Sequence, residues 1–329
     1  MESRRLGKTD MRVSRLSFGG LFVSKVGGDF EQARAALERG LELGVNYFDT
    51  APTYADSEEV IGRAIGSSES KYFVSTKLGG RPDPFEPRDT GHLRMSLQTS
   101  LGLLKRDSVD ILMIHEPDRP GQYDWFENWN PVSGPVCDFL EECREKGIIH
   151  YTGLGGTTVH EMAYIVKHGK FDVLLTAFNY SLLWREAMNG PIPAAERKRM
   201  GIVAGSPLQQ GWLSRRYDDV LRNPPPWLSP IRRQQLLRLY DLSDETDMPI
   251  AELALRFVLS NSAIDTVLMG ARSVEEVEKN VQAAEQGPLS KRVLKELDRI
   301  YAMAPSRPCE EPMSCALARP AYRGPGRLR

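Results

Sequence analysis

The feature that most constrains the fold of this 329-residue chain is a repeated alternation of strand-like and helix-like runs. Short apolar runs rich in β-branched or aromatic residues recur eight times, with amphipathic stretches between them. The runs are 16–19, 45–49, 72–77, 109–115, 148–154, 173–177, 202–206 and 266–270. Strands joined by helices pair in parallel, and eight such units close into a barrel. The sequence therefore predicts an α/β fold, a (β/α)8 TIM barrel, as one domain over residues 1–303.

Four segments lie outside this repeat. Residues 4–16, around Gly7-Lys8-Thr9-Asp10, predict an N-terminal β-hairpin that closes the bottom of the barrel. Long aromatic segments at 116–135 and 209–230 predict loops on the C-terminal face that either wall a pocket or pack onto the barrel. Residues 304–329, rich in proline, glycine and arginine, predict a C-terminal tail, either solvated or laid across the barrel mouth.

Charge and hydropathy limit the possible partners. The chain has 43 basic and 44 acidic residues, so it has no net field to attract nucleic acid or an anionic membrane. No apolar run approaches the roughly 20 residues of a membrane-spanning helix. We expect a cytoplasmic protein with a small-molecule substrate and neither a nucleic-acid nor a membrane partner; the oligomeric state is left open.

Polar side chains end three successive predicted strands. Asp49, Lys77 and His115 end the second, third and fourth strands, and Tyr54 follows Asp49 by five residues. Each of them alone is more simply explained as a cap, a solvated end or a core residue. Because the carboxyl ends of parallel barrel strands lie on one face, we expect all four to converge there. The combination therefore predicts a site.

These four residue types together suit proton transfer to a carbonyl oxygen. A phenol with a pKa near 10 is a weak acid at neutral pH, and a neighbouring ammonium favours its ionised form. Asp49 would hold Lys77 in place, and His115 would donate a hydrogen bond to an oxygen that gains negative charge. Charge develops on that oxygen when hydride reaches the carbonyl carbon, and hydride requires a cofactor. Only Asp49 and His115 could be strand-end metal ligands, so we predict no metal centre.

Three sequence motifs resemble signatures of the aldo-keto reductase superfamily. They are GVNYFDTAPTY (44–54), YFVSTKLG (72–79) and VDILMIHEPD (109–118), and the resemblance covers roughly residues 3–303. It implies a (β/α)8 barrel that uses NADP(H) or NAD(H) without a metal. It also implies a catalytic tetrad of Asp49, Tyr54, Lys77 and His115, with Tyr54 as general acid and base. The expected enzyme is an oxidoreductase that interconverts a carbonyl and an alcohol.

The resemblance also implies cofactor-binding positions. They are Gly19, Gly20, Leu21, Asp49, Ser206, Leu208, Gly270, Arg272, Ser273, Glu276 and Asn280. Glycines after the first strand would let backbone approach the nicotinamide end, and Arg272 with Ser273 would bind a 2'-phosphate. NADP(H) is therefore favoured. NAD(H) is possible, because Glu276 lies one helical turn from Arg272 and could accept a hydrogen bond from a free ribose hydroxyl.

Several positions depart from the superfamily pattern around the nicotinamide. Gly155-Gly156, followed by Thr157, replaces a common Ser-Asn pair, Leu175 replaces a glutamine, and Gly205 replaces a stacking tyrosine. Other groups must then hold the ring; the candidates are Asn179, Tyr180 and a loop tryptophan. The stretch FNYSLL (178–183) is similar to aldose and fucose dehydrogenases of the superfamily, which suggests an aldose or another hydroxylated substrate.

An alternative function comes from the same resemblance. The superfamily includes regulatory or channel-associated subunits that bind cofactor with little turnover. The complete tetrad favours an enzyme over such a subunit.

Overall fold

The computed structural model describes residues 1–305, and all eight predicted runs form strands in them. In chain order the strands are β1 Ser3–Arg5, β2 Arg12–Ser14, β3 Leu16–Gly19, β4 Tyr47–Asp49, β5 Phe73–Leu78, β6 Val109–His115, β7 Asn128–Trp129, β8 Val132–Ser133, β9 Ile149–Gly156, β10 Val173–Ala177, β11 Gly201–Gly205 and β12 Thr266–Met269. Strands β3–β6 and β9–β12 form a closed barrel in the order β10-β11-β12-β3-β4-β5-β6-β9. Every adjacent pair is parallel, which confirms the predicted (β/α)8 fold.

Helices connect the strands around the outside of the barrel. They are α1 Phe30–Glu42, α2 Ser57–Ile65, α3 Thr90–Leu104, α4 Pro135–Glu145, α5 His160–His168, α6 Pro191–Arg197, α7 Asp218–Arg222, α8 Pro230–Thr246, α9 Ile250–Leu259, α10 Val274–Glu285 and α11 Lys291–Ala302. Side chains of Asp29, Asp89, Ser229, Ser273 and Ser290 cap five of them at the N-terminus. Within residues 1–305, no helix has the length and apolar character needed to cross a membrane.

The N-terminal hairpin closes the bottom of the barrel, as predicted. Strands β1 and β2 pair antiparallel, and Leu6, Met11 and Val13 pack with apolar side chains from inside the barrel. Gly7 has a φ of +53°, and a Cβ there would lie 2.1 Å from the backbone nitrogen of Gly201. Only glycine fits so close to the start of β11.

Buried hydrogen bonds join helix α8 to the end of α11 and to the residues that follow it directly. The buried Arg232 donates from Nη1 to the carbonyl oxygen of Ala304 at 3.0 Å, and Gln235 donates to that of Ile300 at 3.0 Å. Helix α11 ends at Ala302, close to the predicted end of the barrel domain at residue 303. The predicted C-terminal tail lies outside the described residues from position 306 onward. Its boundary and role therefore remain predictions.

Candidate active site

The predicted tetrad converges at the C-terminal face of the barrel. Asp49, Lys77 and His115 lie at the ends of β4, β5 and β6 and are buried, and Tyr54 follows β4 and is half-buried. The Nζ of Lys77 lies 4.7 Å from the centroid of the Tyr54 ring. The rings of Tyr54 and His115 are 5.7 Å apart and nearly perpendicular. All four residues line one cavity, so the geometry is suitable for the predicted chemistry.

A chain of buried hydrogen bonds fixes the lysine. Lys77 Nζ donates to Asp49 Oδ2 and to the carbonyl oxygen of Thr50, both at 2.7 Å. Ser75 Oγ donates to Asp49 Oδ1 at 2.6 Å and accepts from the hydroxyl of Tyr47 at 2.8 Å. Burial lowers the pKa of Lys77, and the charge of Asp49 opposes that effect. The carboxylate therefore favours the ammonium form of the lysine in a site that would otherwise neutralise it.

Sequence reasoning missed Ser75 and Tyr47. Side chains two residues apart on a strand share a face, so Ser75 lies on the face of Lys77 and Tyr47 on that of Asp49. Strands β4 and β5 are neighbours, and Asp49 pairs with Ser75 in their register. Strand alternation was the signal that could have identified this network.

His115 is buried in a setting that favours its neutral form. Burial, together with the charge of Lys77, holds its pKa well below the usual value. Its Nδ1 lies 3.3 Å from the hydroxyl oxygen of Thr53. A neutral imidazole carries one N–H, so a Thr53 hydroxyl that donates to Nδ1 leaves the proton on Nε2. That N–H can donate to a substrate oxygen.

The cavity extends from the tetrad to the start of α10 and has a volume of about 700 Å³. All but one of the predicted cofactor positions line it: Gly19, Leu21, Asp49, Ser206, Leu208, Gly270, Arg272, Ser273, Glu276 and Asn280. The exception is Gly20, whose role in cofactor binding stays a prediction. A Cβ there would lie 2.5 Å from Ser57 Oγ and 2.7 Å from the carbonyl oxygen of Asp49. A glycine is required at position 20 because neighbouring protein atoms leave no space for a Cβ.

The groups around the reaction end differ from those expected. Gly155, Gly156, Thr157, Leu175 and Gly205 line the cavity, as their strand-end positions suggested. Asn179 and Tyr180 are absent from its lining; Asn179 donates to the carbonyl oxygen of Thr157 at 2.9 Å, and Tyr180 stacks on Phe257.

Two phenylalanines contribute apolar surface to the cavity instead. Phe22 follows β3, and Phe178 follows β10 with a φ of +67°. The position of Phe178 directly after a strand was the signal that could have identified it.

The loop tryptophans pack onto the protein, which is the second of the two alternatives left open by the sequence. None of the four loop tryptophans is among the cavity-lining residues in the described part of the chain; they are Trp125, Trp129, Trp212 and Trp227. Trp125 and Trp212 are fully buried, and Trp125 packs on Phe85 and Tyr123. Large aromatic surfaces gain most free energy by packing inside the loops. The second loop reaches the cavity through Gly211, Ser214, Arg215 and Tyr217, and the first through Glu116.

At the far end of the cavity, the arginine that was predicted to bind a phosphate forms an ion pair. Arg272 Nη2 lies 2.5 Å from Glu276 Oε1, and the backbone N–H of Arg272 donates to Glu276 Oε2 at 2.8 Å. The hydrogen bonds that Arg272 donates to Glu276 raise the pKa of Arg272. Ser273 caps α10 by accepting from the backbone N–H of Glu276. A 2'-phosphate would have to compete with Glu276 for this arginine.

Comparison with known proteins identifies the family of this chain and agrees with the fold. The model of the Aldo/keto reductase family matches residues 15–302. L-galactose dehydrogenase of Arabidopsis thaliana is 28% identical over 295 residues, 86% of this chain and 88% of that protein. A candidate voltage-gated potassium channel subunit beta of Schizosaccharomyces pombe is 27% identical, over 92% of this chain and 94% of its own length. The holo form of an aldo-keto reductase from Bacillus halodurans superposes with a TM-score of 0.76 at 27% identity, covering 94% of this chain and all of that one. This chain belongs to the aldo/keto reductase family of oxidoreductases.

Proposed function

We propose that this protein interconverts a carbonyl and an alcohol with NAD(P)(H), and that Tyr54 is its general acid and base. The observation that carries the proposal is the position of Tyr54 between Lys77 and His115 at one end of a long cavity. The phenol would give its proton to the carbonyl oxygen during reduction and take it back during alcohol oxidation. His115 would orient that oxygen through its N–H.

The other members of the tetrad support the phenol. The ammonium of Lys77 favours the ionised form of Tyr54, and Asp49 holds that ammonium in place through the 2.7 Å ion pair. Neither residue needs to contact the substrate for this effect. The buried setting strengthens it, because charges interact more strongly where water is excluded.

The cavity fits a nicotinamide dinucleotide. Aldo-keto reductases use nicotinamide cofactors, which supply or accept the hydride when bound. At the reaction end, Gly155, Gly156 and Gly205 line the cavity without a side chain that would occupy it. At the other end, Arg272 and Asn280 offer donors to the adenosine part. These residues would hold the two ends of the cofactor.

The choice between NADP(H) and NAD(H) would be made at Arg272 and Glu276. The sequence favours NADP(H), through Arg272 and Ser273. The ion pair between Arg272 and Glu276 reduces the expected difference in affinity between NADP(H) and NAD(H). A 2'-phosphate must displace the carboxylate from the arginine, whereas a free ribose hydroxyl does not have to. NADP(H) remains our preferred cofactor, with NAD(H) as the alternative.

A cofactor-binding regulatory subunit with little turnover is the second candidate function. It is suggested by the similarity to a candidate potassium channel subunit beta. The complete tetrad favours the enzyme.

One experiment separates the two functions. Wild type and Tyr54→Phe are assayed by nicotinamide absorbance with a panel of aldehydes and both cofactors, and cofactor affinity is measured by fluorescence. We expect Tyr54→Phe to lose about 10²- to 10⁴-fold in rate with unchanged cofactor affinity. A variant with a third of the wild-type rate would show that Tyr54 is not the acid, and tight cofactor binding without turnover in wild type would favour the regulatory subunit.

A further inference from the structure

Glu116 is a buried carboxyl at the reaction end of the cavity that the proposed mechanism does not use. It follows His115 directly and adopts a φ of +48°, in the left-handed region. Its backbone N–H donates to the carbonyl oxygen of Gly155 at 2.7 Å. Successive strand residues face opposite sides, but this turn lets both His115 and Glu116 line the cavity. The backbone therefore holds the carboxyl beside the tetrad.

The protein leaves this carboxyl incompletely paired. The side chain is 6% exposed, and Oε2 is buried with no hydrogen-bond partner in residues 1–305. Its other oxygen, Oε1, lies 3.8 Å from Nε of Arg119, which instead donates to Thr157 Oγ1 at 2.8 Å. The side chain of Gln122 donates a hydrogen bond to the carboxyl and lowers its pKa, which leaves Oε2 as the unpaired oxygen. Buried carboxylates normally accept several hydrogen bonds, so this site lacks at least one.

The neighbouring carboxylate, that of Asp118, accepts hydrogen bonds at Oδ2, whereas its Oδ1 is buried without a hydrogen-bond partner in residues 1–305. A carboxylate only accepts hydrogen bonds, so Asp118 gives Glu116 no donor. Asp118 Oδ2 accepts from the backbone N–H groups of Thr157 and Thr158 at 2.9 and 2.5 Å. Burial, together with the negative charge of Asp118, raises the pKa of Glu116 to about 7. Near neutral pH the group can therefore accept a hydrogen bond as carboxylate or donate one as acid. A hydroxyl group can pair with both forms.

We propose that Glu116 binds a hydroxyl group of the substrate close to the reacting carbonyl, so that the protein selects hydroxylated aldehydes or ketones over their deoxy counterparts. This inference rests on the proposed carbonyl reduction. A neutral hydroxyl suits the site better than an amine, since Arg119 already places a positive charge 3.8 Å from the carboxyl. Glu116 would thus determine specificity while the tetrad performs the chemistry.

The test uses two aldehydes that differ by one hydroxyl group. The ratio of kcat/KM for lactaldehyde to that for propanal is measured in wild type, Glu116→Leu and Glu116→Gln. Leucine removes the hydrogen bond at similar volume, whereas glutamine keeps a hydrogen bond without the charge. The glutamine variant keeps the test decisive if the leucine variant does not fold. Glu127→Gln serves as the matched control, because Glu127 is exposed in the same loop and is not part of the cavity lining.

We expect wild type and Glu127→Gln to prefer lactaldehyde. In Glu116→Leu, kcat/KM should fall about 10- to 100-fold for lactaldehyde and less than about threefold for propanal. Glu116→Gln should give intermediate values. Equal losses on both aldehydes, or an unchanged ratio, would overturn the inference.

A binding measurement separates this inference from the proposed function. Ligand-observed NMR compares propylene glycol with propanol on cofactor-loaded protein. If wild type binds the diol more tightly and Glu116→Leu loses this preference, the inference is supported even when neither aldehyde is turned over. The missing turnover would then contradict the proposed function alone. Equal binding of both alcohols to wild type would overturn the inference.

Discussion

The two ends of the cavity hold their charges in opposite ways. At the reaction end, the side chains of Lys77 and Asp49 are each 1% exposed and lie on adjacent barrel strands. At the far end, Arg272 and Glu276 are 46% and 36% exposed and lie at the start of a helix. A buried pair tolerates little rearrangement, whereas an exposed pair can exchange partners at little cost. The charged side chains are thus held rigidly at the reaction end, where a proton must move. They can rearrange at the far end, where the nucleotide would be selected.

The largest expected effect comes from breaking the buried pair. We expect Lys77→Met to lower turnover by about 10²- to 10⁴-fold and to shift the pH profile of alcohol oxidation to higher pH. Without the ammonium, the phenol ionises at higher pH, and oxidation needs the phenolate as base. Steady-state rates across pH are the measurement.

A control variant guards against misfolding. Removing one partner of a buried pair costs about 3–5 kcal/mol because the other charge is left unpaired. The double variant Lys77→Met/Asp49→Asn removes both charges and should fold better. An unchanged pH profile in either variant would contradict the role of Lys77.

The second prediction concerns buried charge beside the tetrad. Glu116 has a pKa of about 7 in the folded protein against an ordinary value of 4.5. The pKa of Glu116 is higher in the folded protein than in the unfolded chain. Its contribution to the free energy of unfolding is therefore fully present below about pH 4.5 and is lost as the pH rises through 7. We expect Glu116→Gln to match wild type near pH 4.5 and to exceed it above pH 7, by up to about 3 kcal/mol. Urea unfolding at both pH values provides the measurement, and a pH-independent difference would show that the carboxyl is paired.

The third prediction tests whether the hydrogen bonds behind Asp49 matter. Ser75→Ala removes a donor to Asp49 Oδ1, so the carboxylate is less firmly held against Lys77. We expect kcat to fall about 10-fold, as for loss of a hydrogen bond to a charged group, with unchanged cofactor affinity.

Ser100→Ala is the matched control, since Ser100 is buried in α3 and its hydroxyl donates within that helix. If both alanine variants lose activity equally, the Ser75 effect is one of stability and not of positioning.

The smallest effect is expected at the exposed end. Glu276→Gln frees Arg272, and we expect NADPH affinity to rise about fivefold with NADH affinity unchanged, in keeping with the modest strength of an exposed pair. Cofactor fluorescence gives both affinities. Glu275→Gln is the control, because Glu275 also lines the cavity but pairs with Lys279. A wild type that prefers NAD(H), or a preference indifferent to Arg272→Ala, would contradict the choice of NADP(H).

Particular residues show where sequence reasoning worked and where it failed. Asp49, Lys77 and His115 could be placed at one site because each ends a strand, and parallel strands end on one face. The tryptophans could not be placed, since an aromatic side chain in a loop has the same sequence signature whether it lines a pocket or packs beneath it. The reason for a glycine at position 20 could not be read from the sequence either, because a missing Cβ can make room for a ligand or for the protein itself.

The sequence by itself determined the barrel, the closing hairpin and the strand ends from which the tetrad arises, because alternation of apolar and polar residues fixes local structure and topology. Only the tertiary structure decided which polar groups are buried and what they contact. The hydrogen bond from Ser75 to Asp49, the pair between Arg272 and Glu276, and the unpaired oxygen of Glu116 all depend on side-chain positions to within an ångström. Charge burial and hydrogen bonding change over that distance, whereas the hydrophobic pattern does not.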